Sequence, residues 1–211
     1  DNSAIKAAAR RFFHTGENMN WALPSLRINR GPLFGSALTL ILGLILVWLS
    51  WPSKLQIPVA GAGPHDWNHN SFWAYPWGKS VVHKGIDIFA PHGTPVVAAS
   101  SGMVLYQGEI PQGGVVVLVL GPQLRLHYYA HLASSVVHSG QLVIQGTTLG
   151  RVGASGNAKG KAPHLHYSLV TLIPYPWRWD DSRQGWKKIF YLNPDPLLRQ
   201  VESHAVAPRP D

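Results

Sequence analysis

The chain has 211 residues, enough for one compact domain with a sizeable core plus an appendage. Its 18 lysines and arginines against 10 aspartates and glutamates give a formal charge of +8, which favours anionic surroundings such as nucleic acid, anionic lipid or cell wall. Because the basic residues form no dense run and no nucleic-acid motif occurs, we expect no nucleic-acid partner. The absence of cysteine excludes disulfides and thiolate ligands, so any metal site must use His, Asp or Glu.

The chain begins with a polar, basic segment over residues 1–30. Met19 lies inside this segment and is a candidate natural start, which would make residues 1–18 an upstream extension.

The next segment is apolar, since no charged residue falls between Arg30 and Lys54. As a helix, the stretch from Leu33 to Trp51 would measure about 28 Å, close to the thickness of the hydrocarbon core of a bilayer. We therefore expect one N-terminal transmembrane helix, an anchor over residues 31–53.

Two other interpretations of the apolar segment stay open. A buried core helix of this length would normally carry a polar face, and this segment has none. A cleaved signal peptide would agree with the small residues Ala60-Gly61-Ala62, although these lie well past the apolar run. For an uncleaved anchor, the basic residues before the helix predict a single pass through the inner (cytoplasmic) membrane. The N-terminus would then lie in the cytoplasm, and the domain in the periplasm or extracellular space.

The rest of the sequence predicts one strand-rich domain. Residues 54–64 are rich in Pro, Gly and Ala and indicate a linker. From residue 65 to 200, short apolar runs are separated by Gly and Pro, a pattern typical of an all-β domain. Residues 201–211 are polar with two prolines and predict a flexible tail.

Candidate metal-binding and catalytic side chains occur in three local patterns. In His83-Lys84-Gly85-Ile86-Asp87, the separation of four residues puts an imidazole and a carboxylate on one face of a strand, and this pair suits zinc. Such a pair, taken alone, is more often a surface coincidence. In His164-Leu165-His166, the imidazoles point the same way along a strand, either into a pocket or into solvent at an edge. His131 ends an apolar alternating strand, where a single histidine is usually structural.

Taken in order, these patterns and the turn glycines between them resemble the LytM/lysostaphin family of zinc peptidases, murein endopeptidases that cut peptidoglycan peptides. Each piece is common, whereas the ordered set is specific. In chain order the matching pieces are His83–Ile88, Gly93–Val96, Ala98–Val104, Tyr129–Leu132, Gly140, Gly146, Gly150, Gly153–Gly156 and Pro163–Tyr167.

The resemblance implies a strand-rich fold with a groove and one zinc ion per chain, held by His83, Asp87 and His166. It also implies that His131 and His164 are catalytic histidines beside the metal, and it leaves open which of them is the general base. Three protein ligands leave a position for water, as a catalytic zinc requires. The implied activity is hydrolysis of peptide bonds in peptidoglycan stems or cross-links.

Two departures from the family pattern concern the wall of the groove. The segment Gly156–Pro163 is longer and more basic than its counterpart in the family, and Ser168 stands where the family often has an acidic residue. The alternative function is a non-enzymatic regulator of the same fold that binds and activates other cell-wall hydrolases. The complete set of five site residues favours the enzyme. An envelope protein that regulates the chain is a further candidate partner.

Other histidine and aromatic side chains each have two candidate positions. His127 lies four residues before His131, so strand alternation makes it a candidate to line the site. Two aromatic clusters flank the histidine patterns, and each either packs in the core or forms loops that wall the groove or approach the membrane surface. They are Trp67, Trp73, Tyr75 and Trp77, and Tyr175, Trp177, Trp179 and Trp186.

Overall fold

A computed structural model describes residues 32–50 and 54–205. The basic segment expected over residues 1–30, including 1–18, lies outside the described residues. So do residue 31, residues 51–53 and residues 206–211.

Helix α1 (Pro32–Ser50) covers most of the apolar segment. Within the described ranges, no helix combines the length and the apolar character that crossing a membrane requires. The transmembrane anchor expected over residues 31–53 is therefore not confirmed and stays a prediction from the sequence.

The residues from 54 onward form a domain built on antiparallel strands, which confirms the expected all-β class. A single helix, α2 (Pro194–Ala205), is described after the last strand. The strands are β1 (Ile86–Phe89), β2 (Pro95–Val97), β3 (Gly102–Ile110), β4 (Gly114–Gly121), β5 (Arg125–Ser135), β6 (Leu142–Val143), β7 (Thr148–Val152), β8 (His164–Thr171) and β9 (Tyr191–Leu192).

These strands form one sheet whose central order is β1-β8-β5-β4-β3-β6. Three strands lie off this path, because β2 pairs with β7, β7 also pairs with β5, and β9 pairs with β8. The long strands β5 and β8 therefore occupy the middle. Their core-facing side chains, such as Tyr129, Leu165 and Leu169, are fully buried.

The segment 54–64, expected as a linker, packs against the domain instead. Leu55 and Val59 are each 2% exposed and belong to the hydrophobic core. Val59 also forms a β-bridge with Val96 of β2, and Gln56 N donates to Ala99 O at 2.9 Å. The composition of this segment indicates a loop, but its alternating apolar side chains and backbone bonds cover the edge of β2.

Helix α2 is joined to the beginning of the domain through a buried carboxylate. Asp195 is 3% exposed and accepts hydrogen bonds from Trp67 Nε1 at 2.9 Å and from Arg199 at 2.9 and 3.1 Å. The helix continues to Ala205, past the residue at which the flexible tail was expected to begin. Residues 206–211 lie outside the described part, so a flexible end stays a prediction there.

The buried histidine His127 makes the stability of this fold depend on pH. His127 is 1% exposed on β5, and burial, followed by the nearby Arg125, lowers its pKa from 6.5 to about 3. Between these two pH values the unfolded chain binds the proton that the folded chain rejects, so stability falls as the pH falls through this window.

We expect His127→Gln to remove this contribution. When the pH falls from 6.5 to 5, the free energy of unfolding should decrease in both proteins. The decrease should be about 1.5 kcal/mol smaller in the variant than in the wild type. Urea unfolding at a series of pH values measures the difference. His138→Gln, which changes an exposed histidine, is the control and should follow the wild type. Equal pH dependence for His127→Gln and the wild type would contradict the prediction.

Candidate functional site

The pairing of β1 with β8 brings two of the predicted ligands opposite each other. In this antiparallel register Asp87 pairs with His166, and Phe89 pairs with His164. Leu165 is fully buried in the core, so His164 and His166 point to the other face of β8, as strand alternation predicts. One face of this strand pair thus carries three of the five predicted site residues.

His83 reaches the same place from the loop before β1, which begins only at Ile86. Its backbone N–H donates to Ala74 O at 3.0 Å, and its ring stacks on Trp77 with centroids 4.1 Å apart. The prediction that His83 and Asp87 share a strand is therefore wrong, although their side chains do meet.

Gly85 allows the chain between His83 and Asp87 to lie against β8. A Cβ at this position would lie 2.4 Å from Tyr167 O and 2.6 Å from Ser168 Oγ. Because no side chain fits there, the short connection between the two predicted ligands depends on glycine.

Three polar atoms converge at the centre of the site. His83 Nε2 lies 3.0 Å from Asp87 Oδ1 and 3.1 Å from His166 Nδ1, and His166 Nδ1 lies 2.8 Å from Asp87 Oδ1. The side chain of His83 is 1% exposed, and those of Asp87 and His166 are each 17% exposed. Among the described residues, these three side chains are the group whose geometry could hold one metal ion.

Hydrogen bonds on the far sides of the rings decide which nitrogen faces the centre. His83 donates from Nδ1 to Ser71 O at 3.0 Å, because a carbonyl can only accept. Ser168 Oγ donates to Lys84 O at 2.6 Å for the same reason, and it therefore accepts from His166 Nε2 at 3.0 Å. In the neutral rings, His83 Nε2 and His166 Nδ1 consequently carry lone pairs.

The charges of the cluster fit a cation. Burial alone raises the pKa of Asp87, but hydrogen bonds and positive charge from His166 and His83, when a ring carries a proton toward the carboxylate, hold the pKa well below its usual range. Burial also lowers the pKa of His166, which favours the neutral ring. Three acceptor atoms so close together repel one another unless a cation lies between them. A carboxylate with two neutral imidazoles is a donor set that divalent zinc accepts.

Two further histidines stand beside this cluster. The ring of His131 lies 5.1 Å from that of His164 and 5.9 Å from that of His166, between centroids. His131 donates from Nδ1 to Ser155 O at 3.0 Å, and His164 donates from Nδ1 to Ala162 O at 2.8 Å. Burial, with the neighbouring histidines, lowers the pKa of His131 to about 4. His131 is therefore neutral at neutral pH, with Nε2 available as a proton acceptor.

A left-handed backbone at His131 explains why its ring faces the cleft and that of His127 does not. His131 has a φ of 64°, which interrupts the alternation of β5. Tyr128 and Ala130 line the cleft together with His131. His127 points into the core, where its Nδ1 lies 2.7 Å from Tyr167 Oη. His127, a candidate to line the site, therefore lies in the core, because alternation cannot be extended through a residue with positive φ.

The five predicted site residues all line one cleft of about 1000 Å³. Members of the aromatic clusters take different positions. Trp77 lines the cleft and Trp67 is buried in the core, whereas Trp177 and Trp179 are exposed and are not among the residues that line the cleft.

Sequence reasoning missed the two hydrogen-bond acceptors that orient the predicted ligands. Ser71 acts through its backbone carbonyl, which leaves no signature in a side-chain pattern. Ser168 lies two residues after His166 on the same face of β8, and this spacing could have identified it.

Comparison with known proteins places these residues inside a recognised domain. Residues 81–173 match the sequence model of Peptidase family M23. One relative, the L-Ala--D-Glu endopeptidase of Bacillus subtilis, is 32% identical over 148 residues, which are 66% of this chain and 42% of the relative. A second, the peptidoglycan DD-endopeptidase ShyC of Vibrio cholerae, is 36% identical over 93 residues, 44% of this chain and 21% of the relative. The chain thus spans less than half the length of either relative.

A solved structure shares the fold. The catalytic domain of the antimicrobial peptidase lysostaphin from Staphylococcus simulans superposes with a TM-score of 0.51 at 26% identity, covering 64% of this chain and 95% of that domain. The matched range 81–173 contains all five predicted site residues and the strands β1 to β8. The resemblance expected from the sequence is confirmed, and the chain carries a domain of peptidase family M23.

Proposed function

We propose that the chain is a zinc-dependent endopeptidase that hydrolyses peptide bonds in peptidoglycan stems or cross-links. The observation that carries this proposal is the convergence of His83 Nε2, Asp87 Oδ1 and His166 Nδ1, with both ring lone pairs facing the carboxylate. The names of the two relatives support peptidoglycan as the substrate class. Because those names refer to different bonds, they do not favour one bond over another.

One zinc ion per chain would be held by His83, Asp87 and His166. Three protein ligands without thiolate, in a cleft open to substrate, correspond to a catalytic rather than a structural zinc site. A bound zinc ion supplies Lewis acidity, since it lowers the pKa of a water molecule to about 7 and polarises a carbonyl group.

His131 and His164 would move protons at Nε2. Their Nδ1 hydrogen bonds to Ser155 O and Ala162 O hold the rings and leave Nε2 as the reactive nitrogen. One neutral ring can accept a proton from the attacking water and pass it to the leaving amine. The other can stabilise the oxyanion once it presents an N–H to the cleft.

The ligands and the catalytic histidines should be separable by substitution. We expect His166→Ala to lose both bound zinc and digestion of purified peptidoglycan. His131→Gln should keep about one zinc per chain while kcat falls by about 10²–10⁴-fold, the usual contribution of general acid–base catalysis. Elemental analysis gives the zinc content, and mass spectrometry of released fragments gives the activity.

His138→Ala, which removes an exposed histidine, is the control and should keep both properties. Full digestion by metal-free protein would contradict the proposal. Zinc-loaded wild type that digests no peptidoglycan would also contradict it, and would favour the non-enzymatic regulator.

Ser168 should control zinc affinity through His166. In Ser168→Ala the ring loses the acceptor that keeps its proton on Nε2, so we expect the Kd for zinc to rise about 10–100-fold. Competition with a chelator measures the Kd, and thermal unfolding checks that the fold is retained. Ser134→Ala, an exposed serine on β5, is the matched control. A Kd for Ser168→Ala equal to that of the control would exclude this orienting role.

We propose further that residues 31–53 anchor the chain as a single pass in the inner (cytoplasmic) membrane, with the domain in the periplasm or extracellular space. The support is the uncharged run between Arg30 and Lys54 and the basic residues before it. Peptidoglycan lies on that side of the membrane. In cells whose outer envelope has been opened while the cytoplasmic membrane stays intact, we expect added protease to degrade the domain, while a cytoplasmic marker survives. Protection of the domain until the cells are lysed would overturn the proposed topology.

A further inference from the structure

The wall of the cleft is strongly cationic. Asp87 is its single acidic side chain among the described residues. Four basic side chains line the same cleft, namely Lys79, Lys84, Lys161 and Lys187.

Among the described residues, the four lysines of the cleft have no acidic partner. In the described part of the chain, the ion pairs of lysine and arginine are Lys188 with Asp180 and Arg199 with Asp195, and neither includes a cleft lysine. Clustered positive charge in a concave, partly dry site attracts anions and raises their local concentration. The cleft is therefore suited to a negatively charged ligand.

Two of these lysines lie at the end of the site where β1 begins. Lys84 directly precedes Gly85, and its Nζ donates to Ser80 O at 2.7 Å. Lys187 lines the cleft next to Lys188, whose ammonium group lies over the ring of Trp73, and the backbone N–H of Trp73 donates to His83 O. The ammonium of Lys84 is partly satisfied by backbone carbonyls, which leaves Lys187 as the better contact for a ligand at this end.

Lys161 lies at the opposite end. It belongs to the turn before β8, and it is exposed. Since His164 at the start of β8 pairs with Phe89 at the end of β1, Lys161 and Lys84 lie beyond opposite ends of this strand pair. Asp87 and His166 pair between those ends, so positive charge flanks the cluster on both sides.

We propose that the cleft selects peptides with free carboxylates on both sides of the scissile bond, and that Lys161 and Lys187 determine this specificity. The inference rests on the proposed peptidase function and narrows its substrate to anionic stem peptides. Uncharged glycine bridges and amidated stems would be poor substrates, because they offer no negative charge to the lysines of the cleft.

Matched substrates test the inference with the full chain loaded with zinc. Two synthetic stem peptides differ only in that one has free carboxylates next to the scissile bond and the other has amides. We expect kcat/KM to be about tenfold higher for the free acid, as one partly buried charge contact would give. Lys161→Gln and Lys187→Gln should each reduce this ratio, and Lys159→Gln should not, since Lys159 lies in the same turn outside the cleft. Added salt should slow cleavage of the free acid more than that of the amide.

If the wild type cleaves the free-acid stem with a kcat/KM no higher than that of the amide, the inference is overturned while the proposed function stands. Faster cleavage of a glycine-bridge peptide than of the free-acid stem has the same consequence. If Lys159→Gln and Lys161→Gln have the same ratio of kcat/KM for the free acid over the amide, Lys161 does not determine the specificity. If zinc-loaded protein cleaved none of the peptides, the proposed function would fail. The Kd values of the two stems, measured by calorimetry, would then decide the charge preference on their own.

Discussion

The chemistry of the site depends on the orientation that four histidine rings share. The rings of His83, His131, His164 and His166 each donate one N–H to an acceptor on the side away from the centre of the cleft. Three of the acceptors are backbone carbonyls, of Ser71, Ser155 and Ala162, and the fourth is Ser168 Oγ. A carbonyl cannot donate, and Ser168 Oγ already donates to Lys84 O, so each bond fixes the tautomer of its ring as well as its direction. The neutral rings therefore present lone pairs to the cleft, which both a metal ion and a proton-transfer step require.

The backbone of the sheet supplies the remaining geometry. The register of β1 against β8 places Asp87 opposite His166, and Gly85 lets the preceding loop bring His83 to the same point. The positive φ of His131 turns its ring into the cleft, away from the core face that it would otherwise share with His127. Electrostatics follows from this arrangement, since burial lowers the pKa values of His131 and His166 and so favours their neutral rings. Around this centre, the four lysines that line the cleft add positive charge.

The features that could be predicted from the sequence depend on local periodicity, and those that were missed depend on contacts between distant segments. Alternation along β8 places His164 and His166 together, and Gly- and Pro-punctuated apolar runs indicate the all-β class. The same alternation fails for His127, because one left-handed residue ends it. It also gives no sign that Leu55 and Val59 pack into the core of the domain. The carbonyl of Ser71 can be identified as an acceptor only after the loop has folded against His83.

The measurement that tests the central claim most directly is a crystal structure of the zinc-loaded chain with an anomalous difference map at the zinc absorption edge. We predict one peak per chain, bonded to His83 Nε2, Asp87 Oδ1 and His166 Nδ1 at about 2.0–2.2 Å. His131 and His164 should lie beside the metal with their Nδ1 atoms still bonded to backbone carbonyls. A peak held by His166 Nε2, a peak elsewhere in the domain, or no peak would contradict the proposed site.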